Sequence, residues 1–157
     1  MTRFQNKIVL ITGAGSGIGR STALRLDKEG ATSIIVDMNA EQLTETHLML
    51  SNPESTLRVL DISSLDDAKK CFQEIKETHN QLDALINVAG ILRFDNSHEV
   101  EISNWNKILE VNLTGTFFMC NFGLPMLLES KGCIVNVSST AALGSHAWTA
   151  AYSASKG

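Results

Sequence analysis

Short apolar runs alternate along the chain with longer segments of helical period. The runs are Ile8–Ile11, Ile34–Val36, Leu57–Leu60, Ala84–Ile86 and Cys133–Val137. Mostly unbroken and rich in Ile and Val, they predict strands buried on both faces. In Leu65–Thr78 the apolar positions Leu65, Ala68, Phe72 and Ile75 share one helical face, while Lys69, Lys70, Glu74, Lys76 and Glu77 fall outside it. Ile18, Thr22 and Leu26 mark a second such face, closed by Gly30 as a helix stop. Asn39 and Gln42 have the spacing of a capping box opening a helix over Ala40–Met49. The longest helical pattern, Trp105–Leu128, contains Gly115 and Pro125, which predicts a bend or an end near the proline.

Strand and helix thus alternate along the chain. Crossovers of this length predict an α/β fold: a doubly wound parallel sheet with helices on both faces. No repeat, low-complexity stretch or linker interrupts the pattern, so residues 1–157 read as one domain. A chain of this size buries roughly 68–70% of its unfolded surface, enough for a sizeable core.

Composition narrows the partners. A net charge of −4 gives no electrostatic reason to expect a nucleic acid or an anionic membrane. Cys71, Cys120 and Cys133 are too few and scattered for a disulfide framework or a zinc site, and read as reduced thiols packed in a core. The N-terminal apolar run is too short for a signal peptide and no stretch approaches a membrane span, so the expected compartment is cytoplasmic. The sequons at Asn112 and Asn136 then read as chance matches. His47, His79, His98 and His146 show no ligand spacing and read as surface or loop residues; no metal site is expected. Phe117, Phe118, Met119 and Phe122 read as core or subunit interface.

The segment Thr12–Gly19 follows the first strand and opens the first helix, with glycine at 13, 15, 17 and 19. Glycine lets the backbone turn sharply and approach a ligand with no Cβ in the way. A helix N-terminus behind it presents unpaired N–H groups and a positive dipole, which suits a pyrophosphate. The spacing is not G-x-G-x-x-G, since Ile18 stands where a third glycine would fall, nor is it a Walker loop. Asp37 ends the second strand, 18 positions after Gly19. A carboxylate there accepts hydrogen bonds from ribose hydroxyls and repels a 2′-phosphate. Neither Met38 nor Ser16 offers a compensating charge, so NAD is expected over NADP.

Taken in order, these marks resemble the short-chain dehydrogenase/reductase family, in its compact single-domain branch with a Rossmann-type fold. They are Thr12-Gly-x-x-x-Gly-Ile-Gly19, Asp61-Ile62, Asn87-Val-Ala-Gly90, Asn112, Ser138-Ser139 and Tyr152-x-x-x-Lys156. The resemblance implies cofactor contacts from Gly13, Ser16, Gly17, Ile18, Gly19 and Asp37. Asp61 and Ile62 resemble adenine contacts. Asn87, Ala89 and Gly90 resemble the segment lining the adenosine ribose and the middle of the cofactor. Tyr152 resembles the general acid/base and Lys156 its partner, both implied to contact the cofactor as well, and Asn112 resembles the residue anchoring a water in a proton relay. Ser139 lies thirteen positions before Tyr152, the family spacing for the catalytic serine, and is preferred to Ser138. One departure stands out: Val88 replaces the usual second asparagine, which implies a local change in hydrogen bonding rather than loss of cofactor binding.

The implied chemistry is hydride transfer between a secondary alcohol or ketone and the nicotinamide. A free tyrosine, pKa near 10, is a poor base at neutral pH, and neighbouring positive charge favours its phenolate. Ser139 would stabilise charge on the substrate oxygen. Family members continue beyond the lysine, so the chain is expected to be the N-terminal part of a longer enzyme, truncated after the fifth strand. Segments 91–100 and 143–151 suggest a modest, fairly apolar pocket. The full-length protein is expected to be a homodimer or homotetramer pairing through the Trp105–Leu128 helix. Two alternatives stay open: an inactive nucleotide-binding fragment, and a 3-oxoacyl-thioester reductase-like member, which Asp37 disfavours. Sugar-nucleotide epimerase chemistry fits the glycine spacing less well.

Overall fold

A computed structural model describes residues 2–144 and 146–157. Ser145, within segment 143–151, and Met1 lie outside the described residues. The strands are β1 (Ile8–Thr12), β2 (Thr32–Asp37), β3 (Thr56–Val59), β4 (Ala84–Asn87) and β5 (Cys133–Asn136). All pairings are parallel, in the order β3-β2-β1-β4-β5. The helices are α1 (Gly17–Lys28), α2 (Ala40–Leu48), α3 (Leu65–Thr78), α4 (Ile102–Leu109), α5 (Thr116–Ser130) and α6 (Ala150–Lys156).

The sheet is covered on both faces, and strand alternation sorts its side chains between them. Leu10, Ile34, Val36 and Leu85 pack with Ala68, Phe72 and Ile75 of α3 and Met119, Met126 and Leu127 of α5. Val9, Ile11, Ile35 and Ala84 pack with Ala23 and Leu26 of α1 and Leu43 of α2. Each fully buried large side chain contributes roughly 1.5–3 kcal/mol, so the two clusters dominate the fold's stability. Burial on both faces holds for β1, β2 and most of β4. It fails for the outer strands: Val59 on β3 and Val135 on β5 are about half exposed, and Cys133 is exposed. Cys71 alone is a fully packed thiol, and burial pushes it up to about 12.

α2 starts as its cap predicts, and α3 starts at a cap, Ser64, that was not read from the sequence. The Asn39 side chain accepts the Gln42 N–H, and the Ser64 side chain accepts that of Asp67. The reciprocal arm of the box is supplied by Asp37 instead, whose Oδ1 accepts the Asn39 N–H at 2.9 Å. Two face assignments need correction. Leu65 is half exposed, and α1 buries Gly19, Ala23 and Leu26 while Ile18 is 63% exposed. Ile18 sits in the first turn, which overhangs the strand ends rather than the core. His47 also departs from a loop position: it lies on α2, half buried, with Nε2 2.9 Å from the Ser55 carbonyl.

The long helical pattern is interrupted earlier than its proline suggests. Glu110–Gly115 forms a π-helical stretch between α4 and α5, whereas Pro125 lies inside α5, which runs on to Ser130. A proline inside a helix costs about 3 kcal/mol. Burial of Met119, Gly123, Met126 and Leu127 against α3 and β4 outweighs that. Phe118 and Phe122 pack at the margin of this core, and Phe117 is exposed. By length and composition the run Ile102–Ser130 could cross a membrane, contrary to the reading of the bare sequence. Its packing against α3 and β4 makes it a core helix of this fold.

The strand order positions the site. The chain steps outward from β1 to β3, then returns to the other side of β1 with β4. The loops leaving β1 and β4 therefore diverge and leave a crevice at the C-terminal ends of the strands. Thr12 pairs with Val36 on one side and Asn87 on the other, so Asp37 and Val88 flank Gly13.

Candidate functional site

The two loops meet across the crevice with little room to spare. The buried Thr12 hydroxyl accepts the N–H groups of Val88 (3.1 Å) and Ala89 (3.2 Å). At Gly13 φ is +67°, and a Cβ there would lie 2.8 Å from the Ala89 backbone. A Cβ on Gly19 would lie 2.1 Å from the Gly13 carbonyl oxygen. Only glycine allows α1 to start this close to the loop. Val88, the departure from the family pattern, keeps its backbone bond to Thr12 and packs its side chain against the α1/α2 cluster.

A cleft of about 340 Å³ lies between these loops. Gly13, Ser16, Gly17 and Ile18 form one wall, and Val88, Ala89 and Gly90 another. Asp37, Asp61 and Ile62 line its remaining walls, and among the described residues no Lys or Arg lines it. Ser16 precedes α1 without capping it through its side chain, and a Cβ on Gly17 would meet nothing within 4 Å. Open space in front of uncapped helical N–H groups is a cradle for a pyrophosphate. The cleft residues therefore fit a dinucleotide.

Asp37 has a double occupation. Its Oδ2 accepts the Gly15 N–H (2.9 Å) while Oδ1 accepts that of Asn39. Each carboxylate oxygen has a further lone pair, so ribose hydroxyls can still be received. Asp61 is held by the Ser63 N–H (2.9 Å) and hydroxyl (2.6 Å), with Lys107 at 3.5 Å. Burial is the largest single influence and pushes its carboxyl up, but these donors together hold it below the usual range. Ile62 is nearly buried beneath Gly115, where a Cβ would lie 2.9 Å from Ile62 Cγ1.

Asn87 does not line the cleft. The strand's alternation sends it to the α5 side, where Nδ2 donates to Asn136 Oδ1 (2.8 Å) and contacts Cys120 Sγ (3.3 Å). There it borders a second cavity of about 330 Å³, together with Asn112, Ser138 and Lys156.

The loop after β5 and the start of α6 bring the remaining residues together. The Ser139 hydroxyl accepts the Ala141 N–H (3.2 Å), which leaves its own proton to donate. The Ser138 hydroxyl donates to the Lys156 carbonyl (3.2 Å). The Lys156 ammonium lies 6.0 Å from the centroid of the Tyr152 ring and donates to the Val137 carbonyl at 2.9 Å. Burial pulls it below the usual lysine range. A Cβ on Gly90 would lie 3.5 Å from Lys156 Nζ and 3.2 Å from Asn112 Oδ1, so cleft and lysine share one wall.

Asn112 is buried in the π-helical stretch, and its side chain makes protein contacts. Oδ1 accepts the Ile91 N–H (2.8 Å), and Nδ2 donates to the Ile91 carbonyl and the Ser155 hydroxyl (2.9 Å each). It clamps the β4 loop to α6, and the inserted π turn is what aims it there. Thr12 and Gly15, which belong to the glycine motif but were given no contact of their own, and Arg20 also shape the site. The Thr-Gly pair ending β1 was the available signal for Thr12. Nothing in the sequence marks Arg20, whose partners are the Gly15 carbonyl and residues of α2.

The sequence profile described as short chain dehydrogenase matches residues 7–157. The chain is 36% identical over 155 residues to meso-2,3-butanediol dehydrogenase of Serratia marcescens, covering 99% of this chain and 62% of that protein. It is 38% identical over 159 residues to 3β-hydroxysteroid dehydrogenase of Mediterraneibacter gnavus, covering 99% and 58%. Among solved structures, NAD⁺-bound xylitol dehydrogenase superposes with a TM-score of 0.94 at 30% identity, covering 98% of this chain and 61% of that one. The chain thus spans about three fifths of the length of these proteins.

Proposed function

The chain belongs to the short-chain dehydrogenase family, and from that premise we propose that the protein interconverts a secondary alcohol and a ketone with NAD. The observation that carries the reading is the Lys156 ammonium beside the Tyr152 ring, sharing a wall with a glycine-built cleft. Bound in that cleft, the dinucleotide supplies the hydride acceptor. The chain's own residues handle the proton and the developing charge. Ser139 donates its free hydroxyl proton to the substrate oxygen and holds it in place. Tyr152 takes the alcohol proton at its phenolic oxygen and returns it in the reverse direction. Lys156 puts positive charge next to the ring, which is negative whenever Tyr152 is without its proton. Asn112 is a positioning residue that keeps α6 against the β4 loop. The names of both relatives specify substrates with hydroxyl-bearing carbons, which supports the substrate class.

NAD is preferred to NADP in this reading because Asp37 lines the cleft and no cation does. A charge-assisted hydrogen bond contributes about 1.5–3 kcal/mol. Calorimetric titration is therefore expected to show NAD binding that weakens roughly ten- to hundredfold in Asp37→Ala, where 1.4 kcal/mol is tenfold. NADP is expected to bind more weakly than NAD to the unmodified protein. Tighter NADP binding there would refute the preference.

A further inference from the structure

The cation nearest this loop along the chain is turned away from the cleft, and the way it is held suggests a role. The Arg20 guanidinium, on the first turns of α1, reaches back to the Gly15 carbonyl with both Nε (3.0 Å) and Nη2. Nε also donates to the buried Thr46 hydroxyl (2.9 Å), and Nη2 to the Gln42 carbonyl (3.2 Å) and to Glu45 (3.0 Å). These acceptors all belong to α2, so Arg20 ties the glycine loop to that helix. The opposite edge of the same loop residue is the Gly15 N–H, which donates to Asp37 Oδ2. A Cβ on Gly15 would lie 2.9 Å from that carboxyl, so loop and carboxylate are in direct contact.

We propose that Arg20 is a positioning residue for dinucleotide discrimination. By fixing the Gly15 carbonyl it aims the Gly15 N–H, and thereby the Asp37 carboxylate, at the adenosine ribose. Its anchorage on Glu45 and Thr46 also keeps the guanidinium away from Asp37, where it would neutralise the charge that repels a 2′-phosphate. Arginine suits the task because its planar fork can hold several acceptors at once, which the point charge of lysine cannot. The inference rests on the reading of Asp37 as the ribose-binding carboxylate.

The test is titration of the protein with NAD and with NADP, comparing wild type, Arg20→Ala, Arg20→Lys and Asp37→Ala, with unfolding midpoints measured alongside. Arg20→Ala is expected to weaken NAD about tenfold while leaving NADP affinity within twofold, so the discrimination ratio falls. Arg20→Lys is expected to fall between, with a two- to fivefold loss confined to NAD. It decides the matter if Arg20→Ala does not fold. Equal weakening of both nucleotides would mean a merely structural tie and would overturn the proposal. If Asp37→Ala weakens NAD but neither Arg20 variant does, only the Arg20 coupling falls. If all the variants bind NAD like wild type, the reading of Asp37 falls with it.

Discussion

Replacing Tyr152 with phenylalanine is expected to lower turnover about a thousandfold while NAD binding stays within twofold of wild type. The substitution removes one oxygen and keeps the ring beside the Lys156 ammonium. A general acid/base contributes roughly 10²–10⁴-fold, which sets the scale of the loss. Because Tyr152 does not line the nucleotide cleft, affinity and rate should separate. Ser139→Ala is expected to behave similarly with a smaller loss, since it removes a hydrogen bond to the substrate oxygen rather than the proton carrier. Steady-state kinetics paired with calorimetry reads both quantities. Turnover within tenfold of wild type in Tyr152→Phe would remove that residue from the chemistry.

The second large effect is expected from one methyl group. In Gly19→Ala the new Cβ would lie 2.1 Å from the Gly13 carbonyl oxygen, a backbone atom with no rotamer to escape into. Loop or helix must shift, and both form the cleft. Overpacking costs about 1–3 kcal/mol, and in a domain near this size each kcal/mol lowers the midpoint by about 2–4 °C. The expected result is a midpoint lower by several degrees and NAD affinity reduced at least a hundredfold. Gly17→Ala is the informative contrast. Its Cβ would meet nothing, but its φ of +50° is unfavourable for alanine by about 1–2 kcal/mol. Thermal unfolding and titration of both variants should show Gly19 as the more costly position. The reverse order would mean that backbone conformation, not the contact with Gly13, governs the loop.

Much of this architecture was legible because its signals are local. β1, β2 and β4 carry unbroken apolar runs because they lie inside the sheet, α2 announces itself through Asn39, and α3 through the apolar face of Ala68, Phe72 and Ile75. The glycine loop is legible for the same reason: a strand, a turn and a helix fall within one short stretch. What stayed hidden depends on partners distant in sequence. β5 carries the same residue types as the central strands, so the exposure of Val135 has no local mark, whereas Arg58 interrupts the apolar run of β3. The π turn is set by Asn112 reaching Ile91 and Ser155, contacts that span 21 and 43 positions. Pro125 misleads because propensity yields to packing where one face of the helix is buried against the core. Asn87 belongs to the family motif, yet the pleat turns its side chain towards Cys120 and Asn136.

The central claim is a proton path at Tyr152 coupled to NAD. It is tested most directly by mixing the purified protein with NAD and, in turn, a small vicinal diol, a sugar alcohol and a hydroxysteroid, while following the absorbance of reduced nicotinamide. NAD reduction is expected with at least one of these secondary alcohols, with its loss in Tyr152→Phe. A protein that binds NAD yet reduces it with none of them, or that works equally well without the tyrosine hydroxyl, would contradict it.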